Sequence, residues 1–75
     1  MKTIAVDSTT LRTLGYDAER QLLQIEFQNH SIYQYFEVPQ AVYEELIQAS
    51  SKGAYFNRSI RPHFDYLLVK AASLS

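Results

Sequence analysis

The residues whose types could do chemistry are concentrated in one segment of this 75-residue chain, residues 51–64. This segment contains no acidic residue and interleaves cations with aromatic rings. Lys52, Arg58 and Arg61 are its candidate phosphate ligands, and Tyr55 is a candidate ring for stacking on a base. Cations interleaved with aromatic rings are typical of surfaces that bind single-stranded nucleic acid, so the segment predicts such a contact.

The strength of this predicted contact is limited by the small number of cations. Three cations on three phosphates of a single strand give a salt slope of only about −2, which indicates weak binding. Arg58 and Arg61 can alternatively be solvated, cap helix carbonyl groups or pair with the acidic helix before them.

A second, smaller site is predicted where the segment begins. Ser51 and Gly53 lie at the expected start of a short helix, whose free backbone N–H groups favour an anion such as a backbone phosphate. Gly53 can alternatively allow the helix to approach a neighbouring element closely.

Catalysis, cofactor binding and metal binding are not predicted. The chain has no cysteine and two histidines, which excludes thiolate chemistry and leaves few metal ligands. His63 and Asp65 could lie near each other, but no nucleophile or pocket can be assigned to them. Glu44 and Glu45 are adjacent, so they point about 100° apart on a helix. We therefore expect a non-enzymatic protein without cofactor or metal.

Composition and charge indicate one small domain that spans residues 1–75. Hydrophobic residues make up 47% of the chain and charged residues 20%, an ordinary mixture for a folded protein. The net charge of −1 combines −4 over residues 1–51 with +3 over residues 52–75. No apolar run approaches the ~20 residues of a membrane span and no signal-peptide core is present, so we expect a cytoplasmic protein.

A three-stranded antiparallel meander is predicted to precede the basic segment. Its strands are Leu11–Tyr16, Gln21–Gln28 and Ser31–Val38. Alternating apolar residues, or β-branched and aromatic residues, favour each strand. Asn29 and His30 separate the last two strands, and two residues are enough for a tight hairpin turn. Residues 4–6 can add a short extended stretch.

The predicted hairpin turn also determines the register of its strands. It sets Leu23 opposite Phe36 on the apolar face, and so places Tyr33 and Tyr35 on the opposite face. There the two tyrosines could stack on bases, or the C-terminal tail could cover them as a second layer of core. The strand over residues 31–38 would lie at the edge of the meander.

Two short helices are predicted after the meander, packed on one of its faces. Pro39 suits the first turn of the first helix, and Tyr43 lies on its apolar stripe. Phe56 belongs to the buried stripe of the second helix, where Asn57 is expected to bond to nearby backbone. Residues 64–69 are expected to pack back as a strand or an irregular cover. The predicted fold class is therefore α+β.

Two motifs stand out in the sequence, Tyr33-Gln34-Tyr35 and Lys52-Gly53-Ala54-Tyr55-Phe56-Asn57-Arg58-Ser59-Ile60-Arg61. With both motifs at this distance, the chain resembles a known family, the KTSC domain. The resemblance covers about residues 6–69, and residues 70–75 are expected to fray. The family is named after the C-terminus of some lysyl-tRNA synthetases and also occurs as single-domain bacterial proteins. It implies no established activity, and its place on a synthetase suggests RNA binding. One departure is His30, where such a hairpin favours glycine.

These observations predict a small accessory module that binds RNA or tRNA weakly and in a salt-dependent way. The candidate contacts are Lys52, Arg58 and Arg61 for phosphates and Tyr33, Tyr35 and Tyr55 for bases. The alternative is a protein-interaction or homo-oligomerisation module, because an edge strand over residues 31–38 would invite pairing with another chain.

Overall fold

Within the part of the chain that the structure describes, five strands form one antiparallel sheet in which every strand pairs with its neighbours in the sequence. The computed structural model describes residues 1–72 of the chain. The strands are β1 Thr3–Ala5, β2 Leu11–Asp17, β3 Leu22–Phe27, β4 Ile32–Tyr35 and β5 Tyr66–Lys70. The α+β class is as predicted, and the three predicted strands correspond to β2, β3 and β4.

The prediction of three strands is wrong because two further strands extend the sheet at its edges. β1 has only three residues, all of them exposed, and pairs with β2. Such a strand carries no hydrophobic alternation, so its sequence signal is weak. β5 is formed by the predicted apolar tail and pairs with β4, setting Tyr66 opposite Tyr35. Four consecutive apolar residues do not distinguish a strand from an irregular cover.

The addition of β5 changes which strand lies at the edge of the sheet. Residues 31–38 are predicted to form an edge strand open to a partner, and this is wrong because β5 pairs along β4. β1 and β5 are the two edge strands. Lys70, which the sequence places in the fraying end at 70–75, ends β5 opposite Ile32. Residues 73–75 lie outside the described residues.

Two short helices follow β4 and cover one face of the sheet. α1 spans Gln40–Gln48 and α2 spans Lys52–Tyr55. Pro39 precedes α1 in an extended conformation, with φ −62° and ψ 149°, where its missing N–H costs no helical hydrogen bond. α2 continues directly into a π-helical turn over Phe56–Ile60.

The core lies between the sheet and these helices. α1 is attached to β2 by Tyr43, which is predicted as a structural residue and stacks on Tyr16 with ring centroids 4.8 Å apart. The Tyr16 hydroxyl donates a hydrogen bond to the Val38 carbonyl. The buried apolar side chains are Leu11, Leu14, Leu23, Ile25, Tyr35, Val38, Leu46, Phe56 and Ile60.

The pairing of β3 with β4 differs by one residue from the predicted register. Leu23 lies opposite Tyr35 rather than Phe36, and Ile25 lies opposite Tyr33. Because side chains alternate between the two faces of a sheet, this shift turns both tyrosines toward the helices. Tyr35 is 4% exposed, whereas Phe36 is 38% exposed. The prediction that both tyrosines stand on the face opposite the core is therefore wrong.

The length of the turn explains the shift in register. Residues 28–30 form a three-residue loop, which is closed by the Phe27 N–H donating to the Ser31 carbonyl at 2.9 Å. The N–H of His30 donates back to the Phe27 carbonyl, and His30 itself is left-handed, with φ 72°. The Asn29 side-chain oxygen accepts hydrogen bonds from the N–H and the hydroxyl of Ser31. A loop one residue longer than predicted moves β4 by one position.

The left-handed residue of this loop leads to a stability prediction. The variant His30→Gly is expected to raise the free energy of unfolding by about 0.5–1 kcal/mol, because glycine adopts positive φ without steric cost. The contact of His30 with Glu26 joins a half-exposed side chain to a partly buried one at 3.4 Å, and its loss is expected to cost less than the glycine gains. Urea denaturation measures the change. The matched control, Glu19→Gly, replaces an exposed turn residue whose φ is not positive. A stabilised Glu19→Gly or a destabilised His30→Gly contradicts the explanation.

Candidate functional site

A groove of about 290 Å³ opens between the end of the sheet and the π-helical turn. We call it the tyrosine groove. Its aromatic wall is formed by Phe27, Tyr33, Tyr35, Phe56 and Tyr66. Its polar side is formed by Thr10, Asn29, Ser31, Asn57 and Arg61. The groove therefore joins the two motifs that carry the family resemblance: Tyr33 and Tyr35 line its aromatic wall, and the second motif contributes Phe56 to that wall and Asn57 and Arg61 to the polar side.

The aromatic wall is graded from buried to exposed. Tyr35 is almost completely buried, and its ring meets the Phe56 ring edge-on at 5.5 Å. Tyr66 of β5 lies 5.7 Å from Tyr35 and 5.5 Å from Tyr33 between ring centroids, and it is 59% exposed. Tyr66 is thus the ring whose surface is available to a ligand, and Tyr35 lacks the free surface that its predicted base-stacking role requires.

The β5 register, rather than any motif, places Tyr66 in the groove. Tyr66 is not among the site residues predicted from the sequence, because an apolar tail of undefined conformation gives no reason to prefer one aromatic residue. The signal that could have found it is the spacing of the strand: Tyr66 lies opposite Tyr35 once β5 pairs with β4. Thr10, Asn29 and Ser31 are missed for a similar reason, since loops far apart in sequence bring them together.

The polar side of the groove is positioned by the π-helical turn. The N–H of Arg61 donates to the carbonyl of Phe56 at 2.9 Å, five residues earlier, instead of four as in an α-helix. π-helical turns are rare in proteins. Those that occur often lie at functional sites, because they redirect side chains locally. Here the turn accompanies the exposed Asn57 and Arg61 on the groove rim. Among the described lining residues Arg61 is the one cation, and none carries a carboxylate.

Tyr55 and Arg58, which are predicted to stack on a base and to bind a phosphate, lie outside the tyrosine groove. The Arg58 guanidinium sits over the Tyr55 ring, 5.9 Å from its centroid. The Tyr55 hydroxyl donates to a carboxylate oxygen of Glu45 at 3.1 Å, so the pair faces α1. Both residues line a separate depression together with Glu45. The structure therefore does not bring Tyr55 and Arg58 together with Tyr33, Tyr35 and Arg61.

The residues of the predicted anion site are engaged within the chain. The Ser51 hydroxyl accepts the N–H of Ala54 at 3.3 Å, and the Lys52 ammonium donates to the Ala49 carbonyl at 3.2 Å. Gly53 is buried, and a Cβ at this position would lie 2.8 Å from the Thr10 hydroxyl oxygen. Gly53 thus allows the close approach of a neighbouring segment, which is the alternative that the sequence leaves open.

Because Tyr35 is buried, the stability of the domain is expected to fall at alkaline pH. Burial, followed by the neighbouring Tyr33 and Tyr66, raises the pKa of Tyr35 from 10.0 to about 12, while Arg61 acts in the opposite direction. A raised pKa means that the folded state favours the protonated phenol. This contribution is complete below pH 10 and is lost as the pH rises toward 12.

The pH dependence can be isolated with one variant. Between pH 10 and 12 the wild-type chain is expected to lose about 2 kcal/mol of unfolding free energy through Tyr35. The variant Tyr35→Phe lacks the titrating group, so its stability is expected to fall less over the same interval. Urea denaturation at the two pH values measures both losses. Equal losses in the two proteins would show that Tyr35 is not the group responsible.

Neither a metal site nor a membrane-spanning helix is found in the described part of the chain. Residues 1–72 contain no group of three or more side chains that could hold a metal ion together. None of the helices within these residues has the length and apolar character needed to cross a membrane.

The chain is similar to known proteins over most of its length. The family model of the KTSC domain matches residues 7–64. An uncharacterized protein of Stutzerimonas stutzeri is 43% identical over 67 residues, which cover 88% of this chain and 94% of that protein. A KTSC domain protein from Yersinia pestis, known from its crystal structure, has a TM-score of 0.88 and 29% identity. The match covers 91% of this chain and 96% of the Yersinia chain.

Parts of much longer proteins are also similar. A lysine–tRNA ligase from Nostoc punctiforme is 38% identical over 60 residues, which cover 80% of this chain and 11% of the ligase. The lysine–tRNA ligase of Nostoc sp. strain PCC 7120 is 42% identical over the same shares. This chain therefore corresponds to a small part of those ligases.

Proposed function

The chain belongs to the KTSC domain family, and we propose on this premise that it is a small non-enzymatic accessory module that binds single-stranded RNA in the tyrosine groove. The observation that carries the proposal is the meeting of an exposed ring, Tyr66, with a cation, Arg61, in one concave site. We assign the module to the bacterial cytoplasm, where the tRNA named by its ligase relatives is found.

The groove suits one unpaired nucleotide. A base can stack on Tyr66, which contributes about 1–3 kcal/mol by the usual measure of base–aromatic stacking. Arg61 can contact the adjoining phosphate with two parallel hydrogen bonds. Asn57 and Asn29 carry both donors and acceptors at the polar side, so they can bond to the edge of the base. Duplex RNA presents no free base to such a groove.

The charge of the groove supports an anionic partner. Among the described residues its lining contains one guanidinium and no carboxylate, although the whole chain has a net charge of −1. Similarity to part of a lysine–tRNA ligase points to RNA as the anion. The aminoacylation activity of the ligase is not included in the proposal, because only 11% of the ligase is matched.

Lys52 and Arg58 extend the proposed contact outside the groove. Lys52 begins α2, and Arg58 follows Asn57 in the π-helical turn. Both cations line other depressions, and the depression at Lys52 shares Asn57 and Thr10 with the groove. A strand that leaves the groove across Asn57 can therefore reach Lys52. Contact with Arg61 alone gives a salt slope of about −0.7, and contact with all three cations gives about −2.

A titration tests the proposal. Labelled single-stranded RNA is expected to bind at about 50 mM salt with a negative salt slope no steeper than about −2, and a duplex of the same sequence is expected to bind more weakly. Fluorescence anisotropy measures both affinities. Absence of binding at low salt, or equal affinity for duplex and single strand, would overturn the proposed function.

A further inference from the structure

β5 is an exposed, apolar edge strand. Its residues Tyr66, Leu67, Leu68 and Val69 are 47–59% exposed, and β5 is the last strand of the sheet. Soluble proteins protect their edge strands, because unpaired backbone groups beside apolar side chains pair readily with another strand. Such exposure over four consecutive residues indicates a surface that another strand covers.

The direction of the free backbone groups follows from the pairing with β4. The N–H of Phe36 donates to the carbonyl of Asp65 at 2.9 Å, so the backbone groups of Asp65 point toward β4. Along an antiparallel ladder this direction alternates from residue to residue. The N–H and carbonyl groups of Tyr66 and Leu68 therefore point away from β4, toward the free edge.

We propose that β5 pairs with the β5 strand of a second copy of this chain, antiparallel and with the two-fold axis at Leu67. In this register Tyr66 of each copy lies opposite Leu68 of the other. Each of these two pairs exchanges two backbone hydrogen bonds, and together they use all the outward groups of both residues. The two Leu67 side chains oppose each other on the other face of the sheet.

The identity of the partner follows from the self-complementarity of the strand. In the proposed register every pair between residues 66 and 68 is apolar against apolar. Asp65 lies opposite Val69 and Lys70 opposite Phe64, so no like charges face each other. The register of β5 with β4 shifts between Tyr33 and Ile32, which leaves Val69 as an extra residue. This bulge disfavours longer pairing and limits the interface to the residues before it.

The two-fold axis stands perpendicular to the sheet, so both copies present their helices on the same side. The tyrosine grooves of the two copies then flank the interface, because Tyr66 belongs both to the groove and to β5. The proposed dimer does not depend on RNA binding. The small number of paired residues indicates a weak association, with a Kd at or above roughly 10 μM.

Charge substitution at Leu67 tests the dimer. Sedimentation of the full chain from about 10 μM to about 1 mM is expected to show a dimer at the upper end of this range. The variant Leu67→Lys sets two like charges opposite each other and is expected to raise the dimer Kd about tenfold or more. Leu67→Glu is expected to do the same, and an equal mixture of the two variants is expected to recover association.

A control substitution in β1 shows whether the dimer forms through β5 or through the opposite edge of the sheet. Ile4 is an exposed apolar residue of β1, the opposite edge of the sheet, and Ile4→Lys is expected to leave the dimer Kd unchanged. A monomeric wild-type chain throughout the concentration range overturns the proposal. It is also overturned if Ile4→Lys weakens the dimer as much as Leu67→Lys does, or if the mixture of the two Leu67 variants fails to associate.

Discussion

Replacing Phe56 with alanine is expected to lower the free energy of unfolding by about 3–5 kcal/mol, the usual cost of removing a buried phenylalanine ring. Phe56 is 4% exposed and meets the rings of Phe27 at 5.3 Å and Tyr35 at 5.5 Å. It therefore joins the π-helical turn to β3 and β4. A domain of this size has a total stability of about 4–11 kcal/mol, so the variant is expected to lie close to its unfolding transition.

Phe36→Ala is the matched control for Phe56→Ala. Phe36 is 38% exposed, and its loss is expected to cost less than about 1 kcal/mol. Thermal and urea denaturation followed by circular dichroism measure both changes. This control also tests the register of the hairpin, because the register predicted from sequence would bury Phe36 opposite Leu23. Equal losses in the two variants would contradict the observed pairing of Leu23 with Tyr35.

Replacing Arg61 with alanine is expected to weaken the binding of single-stranded RNA by about 10–100-fold. A hydrogen-bonded contact to a charged partner is worth about 1.5–3 kcal/mol, which converts to this range. Arg61 is the one cation among the described residues of the groove, so no neighbour there replaces it. Because both the folding and the affinity of the variant must be known, the titration is accompanied by a denaturation curve.

Arg58→Ala provides an internal comparison for Arg61→Ala. Both changes remove one arginine from an exposed position, and the two residues lie three positions apart. Arg58 sits over Tyr55 and outside the groove. Its replacement is expected to weaken RNA binding no more than about threefold, through the loss of one peripheral phosphate contact. If Arg58→Ala weakens binding as much as Arg61→Ala, the groove is not the main site.

Periodicity in the sequence was sufficient for the element types in the middle of the chain but not for their exact pairing. The alternation around Leu23 and Ile25 predicts β3, and Pro39 marks the start of α1. The register of β4 depends on whether the turn has two or three residues. That choice rests on the left-handed His30 and on the hydrogen bonds from Ser31 to Asn29, which are local energies too small to be read from residue types.

The candidate site was predictable only in part for a related reason. Its two motifs stand out in the sequence. Which residues of the motifs share a surface, however, depends on the π-helical turn that follows α2. The π-helical turn separates Arg58 from Arg61, although their spacing in sequence suggests one basic patch. Tyr66 enters the groove through the pairing of β5 with β4, a contact between residues 31 positions apart in the sequence.

The most direct test of the proposed function is an NMR titration of the ¹⁵N-labelled chain with single-stranded RNA at low salt. Binding in the tyrosine groove is expected to shift the signals of Ser31, Asn57, Arg61 and Tyr66. Thr13 is on the opposite face of the sheet, so its signal is expected to stay in place. Shifts confined to the Arg58 and Tyr55 depression or to the face of Thr13, or no shifts at all, would contradict the assignment of RNA binding to the groove.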